Sequence, residues 1–89
     1  MSENPKLRAD VLTRDVDDEI LIYDPKNGEV FLLNATAAAI IELCDGHTPI
    51  PSIVQEIVKA LAADPETVQK DVNKILLDMK QKGILEWSG

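Results

Sequence analysis

The sequence predicts a single α+β domain in which a small N-terminal antiparallel sheet of two or three strands precedes three helices. Two runs rich in β-branched and aromatic residues, 19–23 and 29–33, flank a turn sequence. Beyond them, apolar residues recur at the three- and four-residue spacing of amphipathic helices. A chain of 89 residues buries about 60–65% of its unfolded surface, which favours one modest core. We therefore expect one domain over residues 1–89, with a flexible start at residues 1–7.

The clearest predicted element is a β-hairpin. Residues 24–28, Asp-Pro-Lys-Asn-Gly, join the two runs; Asp-Pro favours the start of a turn and Asn-Gly its end. Residues 11–13 predict a further short strand. Both hairpin strands are apolar at odd and even positions, whereas a sheet with one solvated face alternates apolar and polar residues. Either loops or helix ends cover the second face, or part of it awaits a partner.

The first helix follows the hairpin without a linker. Asn34 is suited to cap its N-terminus, and the alanines after it favour helix over residues 35–44. Gly46 is expected to end this helix in a left-handed conformation. The predicted inner face consists of Ile40, Ile41 and Cys44.

Two further helices complete the pattern. The second begins near Pro51, and the third runs from an N-cap at Asp64 to about Lys82, where Gly83 stops it. Residues 84–87 are expected to fold back on the core. Three helices beside a hairpin predict a winged helix-turn-helix-like unit. The predicted core stripes are Ile53, Val54, Ile57, Val58 and Leu61 on the second helix, and Val68, Val72, Ile75, Leu76 and Met79 on the third.

The usual constellations of catalytic or metal-binding residues are missing. One Cys and one His do not make a Cys/His metal cluster. A Cys44/His47 nucleophilic pair is conceivable, but Cys44 on an apolar helix face behaves more often as a small hydrophobe. Residues 15–19 are acidic but lack the pattern of a calcium loop, so a solvated turn is the better account. The glycines form no phosphate-binding loop.

Charge and composition argue against nucleic acid and membrane partners. The net charge of −7 repels polyanions, and the second helix offers Lys59 alone to a phosphate backbone. A winged-helix DNA-binding regulator nevertheless stays open as the alternative function. A single Cys forms no internal disulfide, and the start of the chain lacks the apolar core of a signal peptide, so we expect a cytoplasmic protein.

Recognition of another polypeptide is the remaining class of function. The strand at residues 29–33 is a candidate sheet edge, to which a peptide can add as a further strand. On the third helix, Leu77 lies well off the core stripe, on the side of Lys70 and Lys74. An exposed leucine is ordinary by itself. Beside an apolar strand, it is a candidate to line a groove in which the lysines attract an acidic peptide.

Several short motifs follow one another in an order that resembles a known family. They are Phe31-Leu32-Leu33-Asn34, Thr36-Ala37-Ala38-Ala39-Ile40, Leu43-Cys44-Asp45-Gly46, Ile53-Val54 with Ile57-Val58, Val68 with Asp71-Val72, and Lys82-Gly83-Ile84-Leu85. From about Leu7 to Leu85, the chain resembles the coenzyme PQQ synthesis protein D (PqqD-like) family, whose fold is also called the RiPP precursor peptide recognition element.

The resemblance implies a non-catalytic domain that binds the leader segment of a ribosomally made precursor peptide. The leader would add as a strand to the third β-strand, pack against the third helix and be presented to a modifying enzyme, commonly a radical SAM enzyme, in RiPP or PQQ-type biosynthesis. Neither a cofactor nor a metal is implied, and the oligomeric state is left open. Carried over by position, the peptide-binding residues are Glu29, Val30, Phe31, Leu32, Leu33, Lys70, Lys74 and Leu77.

Overall fold

The computed structural model of the protein describes residues 4–88 and builds them from five strands and three helices. The sheet elements and helices follow the predicted order, so the predicted α+β fold class is confirmed. No helix in residues 4–88 is both long enough and apolar enough to cross a membrane. The elements are β1 (Asn4–Leu7), β2 (Leu12–Val16), β3 (Glu19–Asp24), β4 (Glu29–Leu33), α1 (Ala35–Glu42), α2 (Ile50–Leu61), α3 (Pro65–Gln81) and β5 (Leu85–Ser88).

A three-stranded antiparallel sheet has the order β2-β3-β4, so β3 is central and β4 lies at an edge. The predicted hairpin forms about a turn in which Gly28 adopts a positive φ of 67°. Ile20 and Ile22 point into the core, whereas the alternate residues Tyr23, Val30 and Leu32 stay exposed. Within residues 4–88, no loop or helix end therefore covers these residues on the second face of the hairpin.

The first strand of this sheet differs from its predicted extent. It was expected at residues 11–13, but β2 begins at Leu12 and continues to Val16. Val11 precedes the strand and is buried in the core. The prediction missed residues 14–16 because Arg14 and Asp15 have low strand propensity, and pairing with β3 overrides that preference.

A second, two-stranded sheet joins the two ends of the described chain. Strand β1 pairs with β5, with Pro5 opposite Trp87 and Leu7 opposite Leu85. The flexible start expected over residues 1–7 is thus wrong at residues 4–7, while residues 1–3 lie outside the described residues. The partner strand comes from the far end of the sequence, so no local pattern predicted it.

Helix α1 begins as predicted but ends earlier. The Asn34 side chain caps it by accepting a hydrogen bond from Ala37 N at 2.9 Å. The helix stops at Glu42 rather than at residue 44, and Gly46 does not cap it. Gly46 has a positive φ of 83° in the following turn, where its N–H donates to the Pro5 carbonyl at 3.0 Å. The pairing of this turn with β1 accounts for the early end of the helix.

Helices α2 and α3 form most of the core with the inner faces of α1 and β3. Most of the predicted stripe residues are buried, but Leu61 is 50% exposed and its assignment to the core is wrong. It lies in the last turn of α2, which Ala62 ends in a left-handed conformation. At this position the leucine side chain does not reach the helix face that packs against the core. At the start of α3, Asp64 accepts from Thr67 N at 3.1 Å as predicted. After α3, Gly83 turns the chain, and Ile84 and Leu85 return to the core.

Candidate functional site: an edge strand beside a helical groove

Strand β4 presents one open side. It pairs with β3, and within residues 4–88 no strand pairs with its other side. In an antiparallel ladder, every second residue directs its N–H and C=O away from its paired neighbour. These outward groups on the stretch Glu29–Leu33 are a template for an added strand.

A groove of about 390 Å³ runs between this edge and α3. The end of β4 and the first turn of α1 form one wall, with residues Leu32, Leu33, Asn34, Thr36 and Ala37. The other wall comes from α3, with residues Asp71, Lys74, Ile75, Asp78 and Met79. An added strand directs alternate side chains to one face of the sheet, so every second side chain of a peptide on β4 meets this groove.

The groove takes its shape from the direct passage of β4 into α1. The Asn34 cap fixes the start of the helix at the end of the strand. Small side chains then follow on the helix, and Ala37 is buried where α3 approaches. At the other end, Lys82 Nζ lies 5.3 Å from the centre of the Phe31 ring, a cation–π contact between the end of α3 and β4.

The charges in the groove are mixed. Asp71 and Asp78 line it beside Lys74, and Asp78 is paired with Lys82 at 2.9 Å. The groove is therefore not the uniformly basic surface that the lysines alone suggested. Its apolar floor, formed by Ile75, Met79 and Leu33, offers a place for an aliphatic or aromatic side chain.

The predicted site residues occupy different positions relative to this groove. The five residues Glu29, Val30, Phe31, Leu32 and Leu33 form the edge strand itself. On α3, Lys74 lines the groove, and Leu77, which is 56% exposed, lines an adjoining recess that shares Lys74. Lys70 is exposed one turn before Lys74 and does not line the groove.

On α3, sequence reasoning missed four groove residues, Asp71, Ile75, Asp78 and Met79. Together with Lys74 they follow one helix face, at three- and four-residue spacing. Ile75 had been assigned to the core, yet it is only half-buried because it lies where the core stripe meets the groove. The helical spacing defines this face in the sequence. Only the position of β4 in the fold shows that this face of α3, rather than another, lies beside the edge strand.

A buried carboxylate fixes the turn that begins β4. Asp24 is fully buried and accepts hydrogen bonds from the Arg8 guanidinium, from Lys26 N at 3.0 Å and from Asn27 Nδ2 at 2.8 Å. Burial alone would raise the pKa of Asp24, but these hydrogen bonds outweigh it and lower the pKa. Arg8 also donates to the Gly83 carbonyl at 2.8 Å, which ties the turn to the end of α3.

Cys44 is a structural residue rather than a reactive one. The thiol is buried and donates to the Ile40 carbonyl at 3.4 Å, while burial, with a smaller contribution from Asp45, raises its pKa to about 12. His47 is exposed, and its N–H donates to Asp45 at 2.8 Å as part of a turn. Among residues 4–88, no group of three or more His, Cys, Asp or Glu side chains is arranged to hold a metal ion.

Solved structures with a similar fold include two proteins with bound peptides. TbiB1 in complex with the TbiA(beta) leader peptide is 27% identical, with a TM-score of 0.83 over 91% of this chain and 94% of that one. A lasso peptide synthetase B1 complexed with the leader peptide is 25% identical, with a TM-score of 0.78 over 93% and 98%.

A third similar structure is described as a recognition element in its own right. The PqqD truncation of Methylobacterium extorquens PqqCD is described as a functional, stand-alone RiPP recognition element. It is 27% identical, with a TM-score of 0.76 over 92% of this chain and 87% of that one. No curated protein matches the chain in sequence. The family model for coenzyme PQQ synthesis protein D matches residues 19–85, and the chain therefore belongs to the PqqD family.

Proposed function

We propose that this protein binds the leader segment of a ribosomally made precursor peptide and presents it to a modifying enzyme. The peptide adds to the open side of β4 as a further strand, and alternate side chains enter the groove against α3. The observation that carries this proposal is the open edge of Glu29–Leu33 directly beside the groove. Strand addition gives affinity through the backbone and register through side-chain pockets.

The geometry supports binding rather than catalysis as the role of this site. The side chains that line the groove are two carboxylates, one ammonium group, the Asn34 amide, the Thr36 hydroxyl and apolar groups, and the thiol of Cys44 is buried away from it. Similar structures that contain a leader peptide support the same class of ligand for this chain. We infer that the chemistry is done by a separate enzyme, with a radical SAM enzyme as the first candidate.

The proposal is tested by titrating ¹⁵N-labelled protein with a synthetic precursor peptide from the same genome. We expect amide shifts in Glu29–Leu33 and on the α3 face that contains Asp71, Lys74, Ile75 and Asp78. The amide of Lys70 and the outward face of α2 serve as internal controls, and we expect them to shift little. Absence of binding at millimolar peptide, or shifts confined to α2, would contradict the proposal.

The same preparation tests the DNA-binding alternative. A winged-helix regulator would bind duplex DNA in a salt-dependent manner, with shifts in α2 (Ile50–Leu61). We expect no such binding, because the chain has a net charge of −7 and α2 carries a single lysine.

A further inference from the structure

The three-stranded sheet has a second face, directed away from the helices, that no element of residues 4–88 buries. Leu12, Tyr23 and Val30 lie side by side across the three strands, and Leu21 and Leu32 lie in the next row. Leu12 is 63% exposed, Val30 59% and Leu32 57%. We call this surface the outer face; its apolar residues are Leu12, Val16, Leu21, Tyr23, Val30 and Leu32.

The outer face differs from an ordinary solvated sheet surface. Antiparallel sheets with one face in water place polar residues on that face. Single exposed apolar residues are common, but a contiguous apolar patch marks an interaction surface. Here the patch spans every strand of the sheet, with only Arg14 and Glu19 as charged members of the same rows.

One end of the outer face is bordered by an acidic turn. Glu19 lies opposite Val16 in the last row, next to the β2–β3 turn. The turn itself carries Asp17 and Asp18, both exposed. A partner seated on the outer face therefore meets negative charge at this end and is complemented by Lys or Arg.

The charge also argues against a second copy of this chain as the occupant. Each copy carries a net charge of −7, so pairing two copies brings like net charges together. Arg14 is the only cationic side chain in the rows of the outer face. A partner of a different, basic character fits this surface better.

The outer face is continuous with the proposed peptide site. Strand β4 supplies Val30 and Leu32 to the outer face, and β4 is also the edge at which the peptide adds. Side chains of an added strand alternate between the two faces of the sheet, so those that do not enter the groove extend the outer face by one strand. A protein seated there touches this chain and its bound peptide together.

We propose that the outer face docks the enzyme that receives the peptide, through an apolar patch bordered by Lys or Arg that meets the β2–β3 turn. The outward side chains of the bound peptide complete the interface, so the enzyme engages the loaded domain more tightly than the empty one. This inference rests on the proposed function of peptide binding at β4.

The test measures two affinities with the same variants. The double variant Leu12→Ser/Tyr23→Ser changes β2 and β3 but not the peptide edge. We expect it to keep the affinity for the precursor peptide within about twofold and to weaken binding to the enzyme that modifies this peptide at least about tenfold. Leu61→Ser is the matched control, an exposed leucine on α2, and should change neither affinity.

The charge at the turn is tested separately with Asp17→Asn/Asp18→Asn. Asn tolerates the positive φ of 58° at position 17, so the turn is retained. We expect a lower association rate with the enzyme and a weaker salt dependence of that rate. Association that is unchanged in rate and salt dependence would overturn the electrostatic part of the proposal.

Two outcomes overturn the docking surface while leaving peptide binding intact. One is unchanged enzyme binding by Leu12→Ser/Tyr23→Ser. The other is a concentration-dependent dimer in sedimentation velocity that this variant abolishes, which would assign the outer face to a second copy. If the wild-type chain binds no peptide, the proposed function fails first, and this inference fails with it.

Discussion

The Arg8 guanidinium donates a hydrogen bond to the fully buried carboxylate of Asp24, and so joins the segment after β1 to the turn that begins β4. The same side chain donates to the Gly83 carbonyl at the end of α3. One arginine therefore connects the turn that precedes β4 to the turn that follows α3. The relative position of β4 and α3 depends on a contact between residues that are far apart in sequence.

Arg8→Met is expected to destabilise the protein strongly. The substitution leaves Asp24 buried without its cationic partner, and removal of one member of a buried pair costs far more than loss of a surface contact. We expect the Tm to fall on the order of 10 °C in thermal unfolding followed by circular dichroism. Arg14→Met is the control, since Arg14 is exposed on β2. Equal effects of the two substitutions would contradict a special role of Arg8.

The Asp24 carboxylate predicts a loss of stability in acid. Its pKa is lower in the folded state than the ordinary value, because the hydrogen bonds outweigh burial. Such a group contributes its full stabilisation above the unfolded pKa and loses it as the pH falls through the folded pKa.

We therefore expect the Tm of the wild type to decrease at pH values below about 4, which is near the ordinary aspartate pKa. Asp24→Asn should have a lower Tm at pH 7 but a shallower acid decline, since Asn does not titrate. The pKa values of Asp10 and Asp45 are also lowered, and both residues remain in this variant. Parallel curves for the two proteins would show that Asp24 does not contribute to the pH dependence.

The Asn34 cap is expected to support both α1 and the groove wall. Asn34→Ala removes the hydrogen bond to Ala37 N and should cost about 1 kcal/mol of stability. In a domain of this size that corresponds to a fall in Tm of about 5 °C. Asn34→Asp keeps a capping oxygen and should retain most of the stability. If the two variants unfold alike, the cap contributes nothing measurable.

Ile75 is expected to anchor a side chain of the bound peptide. Ile75→Ala enlarges the floor of the groove and should weaken peptide affinity about tenfold, as measured by fluorescence anisotropy. Leu61→Ala removes a comparable side chain from a distant surface and should leave affinity unchanged. The assay temperature must lie well below the Tm of both variants, because Ile75 also contacts the core. An unchanged affinity for Ile75→Ala would exclude this part of the groove from the site.

Cys44 is expected to be unreactive in the folded protein. Burial raises its pKa to about 12, so very little thiolate is present at pH 8. Iodoacetamide should label it slowly in buffer and rapidly in 6 M guanidinium, as followed by mass spectrometry. Rapid labelling of the folded chain would revive the alternative of a Cys44-dependent enzyme.

Much of the fold could be predicted because its signals are local. The hairpin followed from a turn sequence between two β-rich runs, and α3 followed from its cap at Asp64 and its stop at Gly83. The exceptions are explained by contacts between distant residues: β1 forms only because β5 pairs with it, and α1 ends at Glu42 because the next turn pairs with β1.

Local signals in the sequence also indicated part of the candidate site. Strand propensity and turn chemistry indicated the edge Glu29–Leu33. On α3 the helical spacing indicated Lys70, Lys74 and Leu77, of which Lys74 lines the groove and Leu77 lines the adjoining recess. A helix with apolar residues on one side and mixed residues elsewhere has several faces of similar composition. Which of these faces meets β4 depends on how the helix packs against the sheet.

The sequence by itself thus determined the hairpin, the three helices, their order and the class of function, through propensities, caps and the order of its motifs. Tertiary structure alone decided that Asp71, Ile75 and Asp78 line the groove, that Arg8 reaches Asp24 and Gly83, and that no element of residues 4–88 covers the outer face. The physical reason is that such contacts join residues up to 75 positions apart, and contacts over that distance leave no periodic pattern in the sequence from which they could be predicted.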